Sequence, residues 1–212
     1  MIYCISDIHG EYDRYKAMLE HIGFSDTDTL YVIGDVIDRR PRGIDILLDI
    51  MERPNVHMTL GNHEQMCLDD LYWHEPDARQ IWHQNGGRFT RRDLLYRRPE
   101  VRAKVLQFMR GLPSELDIEV SGRKFKLVHG FPAPEEYDCI WLRPEPSAPA
   151  PIPGVTVIVG HTPTVLLNGD DGEPFRIWHG DGVVDIDCGC GHTTGERRLA
   201  CLRLDDMEEF YV

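Results

Sequence analysis

Leu30-Tyr31-Val32-Ile33-Gly34-Asp35 sets an apolar, largely β-branched run directly against a glycine and a carboxylate. The run has the composition of a buried strand, and Gly34 ends it in a turn. The same arrangement stands on either side: Ile2–Ser6 runs into Asp7-Ile8-His9-Gly10, and Val56–Leu60 runs into Gly61-Asn62-His63-Glu64. Between these strands the apolar residues keep helical spacing, first Tyr12, Tyr15, Met18, Leu19 and Ile22, then Ile44, Leu47, Leu48 and Met51, with Pro41 suited to the first turn of the second helix. Strands alternating with helices of about three turns predict βαβ units and a parallel sheet.

From Glu64 to about Leu112 the pattern is helical and arginine-rich, broken at Asn85-Gly86-Gly87, with Val101, Val105, Phe108 and Met109 forming one stripe. This predicts a helical insertion over about 65–112. Extended runs follow at Leu116–Val120, Phe125–Val128, Val155–Val159, Phe175–Trp178, Val183–Ile186 and Leu199–Leu204. Seven of the 14 prolines fall between Phe131 and Gly154, too many for a helix or an inner strand, so 131–154 reads as a surface loop. The expected architecture is α/β, two packed sheets with helices outside, parallel pieces first and antiparallel hairpins last. No repeat or hinge-like tract divides residues 1–212, which read as one domain.

Charge narrows the partners. The 212 residues hold 36 acidic against 23 basic side chains, a net −13, so no broad positive field exists to collect a nucleic-acid backbone or an anionic membrane. The longest stretch without Asp, Glu, Lys or Arg, Pro146–Gly169, is broken by prolines and predicts no membrane helix. Met1–Ser6 lacks the basic start of an export signal, and the six scattered cysteines read as reduced, packed thiols, so a cytoplasmic protein is expected.

The chemistry is concentrated where strands end. Asp7-Ile8-His9-Gly10, Gly34-Asp35, Gly61-Asn62-His63-Glu64, His129-Gly130 and Gly160-His161 each follow a predicted strand, and loops at the carboxyl ends of strands can aim several side chains at one point. Taken singly, Asp7 or Asp35 could cap a helix, any histidine could be a bonded core residue, and the glycines could serve turns with positive φ or close backbone approach. Five such clusters after five strands are not explained by caps. A mixed oxygen and nitrogen donor set without thiolate suits Mn, Fe or Zn and reads as a two-metal centre.

Asp7-x-His9-Gly10, Gly34-Asp35-x-x-Asp38-Arg39 and Gly61-Asn62-His63-Glu64, followed by separate His129 and His161, resemble the phosphoprotein phosphatase (PPP) branch of the calcineurin-like metallophosphoesterases, in particular its small bacterial and phage members. Trp82–Gly87, Trp141–Arg143 and Ile186–Gly189 resemble further elements of that branch, so the likeness runs from Ile2 to about Leu204. It implies a four-layer calcineurin-like sandwich, two mixed β-sheets flanked by helices. It also implies two divalent ions, manganese favoured, one held by Asp7, His9 and Asp35 and the other by Asp35, Asn62, His129 and His161. Asp35 would bridge them, and the ions would activate a hydroxide for in-line attack on phosphorus. By the same resemblance His63, oriented by Asp38, would protonate the leaving oxygen, while Arg39 and Arg143 would grip the phosphate; the alternatives are His63 as a metal ligand and Arg143 as a solvated surface residue.

Two positions depart from the family pattern: Leu60 stands where an arginine is frequent, and Arg40, followed by Arg42, stands where glycine is usual. Either arginine could enlarge the anion site or face water. Cys188-Gly189-Cys190 with His192 lacks zinc-site spacing and reads as strand and turn packing. The resemblance implies a metallophosphatase acting on phosphoserine or phosphothreonine in proteins, with phosphotyrosine a further substrate. The alternative is a hydrolase of diadenosine tetraphosphate or a related small phosphoanhydride. A third reading, a non-catalytic scaffold, is disfavoured because all six ligand positions and His63 keep competent side chains.

Overall fold

The computed structural model describes residues 1–169, 173–193 and 195–212. Two five-stranded sheets face each other. In the first, strands β1 (Ile2–Ile5), β2 (Thr29–Ile33) and β3 (Val56–Thr59) run parallel, while β9 (Ala200–Arg203) and β10 (Glu208–Tyr211) complete the order β10-β9-β1-β2-β3 as antiparallel neighbours. The second sheet has the order β4-β5-β6-β8-β7, from β4 (Glu115–Val120), β5 (Arg123–Val128), β6 (Val155–Val159), β7 (Trp178–His179) and β8 (Val183–Asp185). β5, β6 and β8 run parallel, so antiparallel hairpins alone do not build the second half. Two-residue β7 replaces the strand expected at Phe175–Trp178, since Phe175 and Arg176 lie in a turn, and β10 is a strand the apolar pattern of Glu208–Tyr211 did not announce.

β1 and β2 are covered on both faces, which is why they read as near-continuous apolar runs. Tyr3, Ile5, Leu30 and Val32 face the helices, joining Tyr15 and Met18 of α1 (Tyr12–His21) and Ile44, Leu47 and Ile50 of α2 (Gly43–Glu52) in the larger core. α2 begins at Gly43, and Pro41 lies in the turn before it, because Arg39 and Arg40 are still occupied in the loop that follows β2. Between the sheets, Cys4 and Ile33 meet Phe125, Leu127, Ile158 and Val184.

The insertion comprises α3 (Asn62–Leu68), a π-helical turn (Asp69–Trp73), α4 (Ala78–Gln84), α5 (Arg88–Tyr96) and α6 (Pro99–Arg110), with the expected break at Asn85-Gly86-Gly87. α6 docks through Val105 and Met109, both fully buried. The proline-rich segment is more than a loop: one turn of helix, α7 (Glu136–Cys139), sits inside it. Cys139, with Phe131, Ala133 and Ile152, covers the outer face of the second sheet over Val128, Val157 and Val159, making the fourth layer. Among the described residues no helix is long and apolar enough to cross a membrane.

Phe125 fills the space between the sheets and is 1% exposed. Phe125→Ala is expected to lower unfolding free energy by about 3–5 kcal/mol, the scale for truncating a buried aromatic; urea denaturation measures it, and a loss under about 1 kcal/mol would show that the sheets do not depend on this contact.

Candidate metal centre

Six strand ends reach one edge of the sandwich. β1 leads to Asp7 and His9, β2 to Asp35, β3 to Asn62 and His63, β5 to His129 and β6 to His161, all but His161 fully buried. The sixth, β8, ends at Asp185 and Asp187, two further buried carboxylates. Of the ten non-glycine residues with positive φ among the described residues, six lie in these turns: Asp7, His9, Asp35, Asp38, Arg39 and His161. Left-handed backbone in bulky residues costs free energy and persists only where surrounding contacts over-determine it. The turns aim side chains inward at the expense of local comfort.

The histidine rings are fixed from behind. His9 Nδ1 bonds the Ile37 carbonyl (3.0 Å) and His129 Nδ1 the Ile33 carbonyl (2.9 Å), which leaves each Nε2 facing the cluster. His9 Nε2 is buried without a hydrogen-bond partner among the described residues, 3.7 Å from Asp7 Oδ1 and 3.6 Å from Asp35 Oδ2. His129 Nε2 lies 3.2 Å from Asp35 Oδ1 and 3.0 Å from Asn62 Oδ1, and His161 Nδ1 lies 3.1 Å from the same Asn62 oxygen. Donor atoms of Asp35, His129 and His161 fall within 4.8 Å of one another, as do those of His9, Asp35 and His63. Asp35 is common to both groups. Lone pairs converging from carboxylate, amide and imidazole, with one buried ring nitrogen unpartnered, are a donor set that fits hard or borderline divalent cations.

On the His9 side the tight group contains His63 where the resemblance implies Asp7. Asp7 turns its Oδ2 to the Ser6 hydroxyl and the His161 amide (3.0 Å). Burial, with Asp187 nearby, pushes its carboxyl up to about 8. His63 is engaged elsewhere: its Nδ1 is 2.7 Å from Asp38 Oδ2, while its Nε2 lies 3.8 Å from Asp35 Oδ2.

Charge is distributed unevenly. Burial works against an ionised Asp35, yet His129, His63 and His9 hold its carboxyl well below the usual range. Burial likewise opposes a charged His129, but Asp35 and Asp7 lift it to about 10. His161 is driven the other way, to about 3, by burial and the neighbouring His129. Burial also opposes a charged His63, and the Asp35 and Asp38 carboxylates still raise it above its ordinary value.

The two predicted arginines flank the cluster. Half-buried Arg39 brings Nη2 to 3.4 Å from His63 Nε2, and exposed Arg143 donates Nη1 to the His161 carbonyl (3.1 Å). Arg40 and Arg42 do not enlarge this site. Arg40 pairs with Glu11 (2.8 Å), while Arg42 pairs with Asp13 and Asp45 and stacks 3.6 Å from the Tyr12 ring centroid. Leu60 packs against the larger core and donates its amide to Pro113 (2.8 Å).

Several supporting residues carried no readable signal of their own. Glu64 is fully buried and accepts the amides of Asp35 (2.8 Å), Val36 (2.9 Å), Ile37 (3.2 Å) and Gly61 (3.2 Å), which fixes the β2 turn against the start of α3. Asp38 is held by Trp82 Nε1 (2.6 Å), and its amide donates to the Thr90 hydroxyl (3.0 Å), so the insertion buttresses the His63 partner. Glu64 closes the quoted Gly61–Glu64 motif and Trp82 opens the Trp82–Gly87 element, but nothing local to either says where its side chain points. Gly61 is needed for close approach: a Cβ there would stand 2.3 Å from Asp35 Oδ1.

A mixed oxygen and nitrogen cluster at the strand ends of a two-sheet α/β sandwich defines a protein built around a divalent-cation centre. The calcineurin-like phosphoesterase family matches residues 1–206, and the chain belongs to that family. It is 32% identical over 142 residues to serine/threonine-protein phosphatase 2 of Salmonella typhimurium (strain LT2), across 65% of this chain and 61% of that one. It is 42% identical over 68 residues to the symmetrical bis(5'-nucleosyl)-tetraphosphatase of Salmonella paratyphi B, across 31% of this chain and 24% of that one. The match thus spans less than two thirds of either relative. The cold-active protein-tyrosine phosphatase of a psychrophilic Shewanella species shares the fold, with a TM-score of 0.58 and 16% identity over 99% of this chain and 79% of that one.

Glu64→Ala strands up to four buried amides and is expected to destabilise the protein by about 3 kcal/mol or more. Chemical denaturation reads this directly, and a loss below about 1 kcal/mol would mean the β2 turn is held by something else.

Proposed function

We propose that the chain is a metal-dependent phosphomonoesterase acting on phosphoserine and phosphothreonine in proteins, with phosphotyrosine a further substrate. The observation that carries this reading is the assembly, at one strand edge, of six donor residues beside a His63–Asp38 pair at 2.7 Å. In this proposal Asp7, His9 and Asp35 hold one divalent ion and Asp35, Asn62, His129 and His161 the other; manganese is the favoured ion, and iron, zinc or another divalent ion also suits the mixed donor set. When bound, the ions supply positive charge at the phosphoryl oxygens and lower the pKa of a water molecule.

The chain's own residues do the rest. Asp38 accepts the Nδ1 proton of His63, and this selects the ring orientation in which Nε2 presents a proton to the departing oxygen. Trp82 and Thr90 keep Asp38 in place, so that ring does not have to reorganise during turnover. Arg39, whose guanidinium shares the space beside His63 Nε2, binds the non-bridging oxygens, and Arg143 binds them from the His161 side. Buried, unpaired thiols at all six cysteines support a reducing, cytoplasmic compartment.

The relative named serine/threonine-protein phosphatase 2 aligns over 142 residues and the tetraphosphatases over 68, which favours a protein substrate. The higher identity of the shorter match supports the second reading, hydrolysis of diadenosine tetraphosphate or a similar phosphoanhydride. Side-by-side turnover of a phosphoserine peptide and diadenosine tetraphosphate, with manganese added, is expected to give the larger kcat/KM for the peptide; the reverse order would replace the first reading by the second.

His63→Ala is expected to lower kcat for p-nitrophenyl phosphate by about 10²–10⁴-fold, the range for loss of a general acid. Wild-type protein that binds manganese without turnover would instead identify a scaffold. Asp35→Asn should remove more activity than Arg143→Ala, with loss of both ions seen by metal analysis after gel filtration. Equal, modest losses would contradict a shared ligand.

Metal uptake should release protons, because at pH 7 both Asp7, near 8, and His129, near 10, are protonated before binding. Both must deprotonate to ligate, so manganese affinity should fall as pH drops. Calorimetry in buffers of different ionisation enthalpy counts the protons, and none released would contradict ligation by these two residues.

A further inference from the structure

The helical insertion reverses the charge of the chain it belongs to. Residues 78–98 contain six arginines and a single carboxylate, Asp93, within a protein of net charge −13. Some of that charge is spent internally: Arg97 pairs with Asp45 (2.6 Å) and Asp93 (2.9 Å), and Arg91 and Arg79 share Asp70. Arg88 and Arg92 are exposed, and neither has an ion-pair partner among the described residues.

Arg88 and Arg92 border a cleft of 560 Å³ whose other walls are His83, Arg91, Leu95 and Tyr96. Among the described residues no carboxylate lines it. Its apolar residues are unusually bare, Tyr96 being 85% exposed and Leu95 44%. A surface that is cationic and apolar together, on an otherwise acidic molecule, is complementary to an acidic ligand.

The spacing suggests what kind of acid. Arg88 and Arg92 are four residues apart on α5, so their stems rise about 6 Å along one helix face. Alternate side chains of an extended polypeptide repeat at about 6.6 Å on one side of the strand. An extended segment with carboxylates at every second residue therefore meets both guanidinium groups without bending.

The same helices touch the phosphate end of the centre. Trp82 and Thr90 hold Asp38, and the Gly86 carbonyl accepts the amide of Arg39 (3.2 Å). A chain lying along α5 is thus carried on the element that braces the leaving-group side.

We propose that the exposed face of α5 is a docking surface for an extended acidic polypeptide segment next to the phosphorylated residue of a substrate protein. This rests on the protein-phosphatase reading above, and the test separates the two. A fluorescent peptide with aspartate at alternate positions and no phosphate is titrated with the full chain, its R88E/R92E variant and its R88K/R92K variant, by anisotropy. The expected result is binding to wild type, weakening of about tenfold or more in R88E/R92E, near-wild-type binding in R88K/R92K, and unchanged turnover of p-nitrophenyl phosphate. Equal affinity of wild type and R88E/R92E, or equal binding of a neutral peptide, would overturn the proposal. If R88E/R92E does not fold, Arg92→Ala alone is read, with a loss of about threefold expected and no loss overturning it.

A kinetic arm then compares phosphoserine peptides with acidic and neutral flanks. A lower KM for the acidic flank, lost in R88E/R92E, supports the surface as a substrate contact; identical KM values would overturn that role. If the aspartate peptide binds through Arg88 and Arg92 while only diadenosine tetraphosphate is hydrolysed, docking stands and the protein-phosphatase reading falls. If diadenosine tetraphosphate turnover depends on the arginines and the peptide does not bind, the surface serves an oligophosphate and the proposal is overturned.

Discussion

An ionised carboxylate buried where two sheets meet is the constraint around which this molecule is arranged. Asp35 is 1% exposed, and a bare charge in that position would be expelled or neutralised. It stays charged because it is surrounded by compensating groups from distant parts of the chain: the His63 amide at 3.0 Å, the His129 ring at 3.2 Å and the His9 ring at 3.6 Å. Each comes from a different strand end, so satisfying one anion requires both sheets to be in register. The strained turns at Asp7, His9, Asp35 and His161 then follow, since ordinary backbone would swing these side chains away from it.

A second layer of order protects the first. Glu64 spans from α3 to the β2 turn, Asp38 is clamped by Trp82 and Thr90, and carbonyls of Ile33 and Ile37 pin two imidazoles. Groups that must move protons or hold cations work best when their supports are already in place, and here those supports are buried and hydrogen-bonded. The insertion therefore has two faces with different work: one secures Asp38 and Arg39, and the other presents free arginines to solvent.

Much of this was legible from the chain because strand ends leave a local mark. An apolar β-branched run followed at once by Gly, Asp, Asn or His identifies both the strand and the turn, and five such junctions mark polar residues that the fold brings to one edge. Legibility failed where pairing is set by distant partners. β10 has the composition Glu-Glu-Phe-Tyr and becomes a strand because β9 lies beside it, while Phe175 and Arg176 look extended but end in a turn. Asp185 and Asp187 sit among apolar residues that read as a strand end, and only the convergence of β8 with β1 reveals that their carboxylates border the cluster. The side chain of Glu64 could not be placed either, since its four amide partners belong to two loops separated by β3.

β1 is flanked on one side by β2 and on the other by the sequence-distant β9: Tyr3 pairs with Arg203 and Ile5 with Cys201. β9 follows β1 only after seven other strands and the helical insertion, so one edge of β1 has no partner until those elements have been made. Pairings of such separation make for slow closure, because the two strands must meet across a large loop. Until β9 docks, that edge is open to intermolecular pairing; in the folded sheet β1 is interior, and the edge strands are β10 and β3 instead.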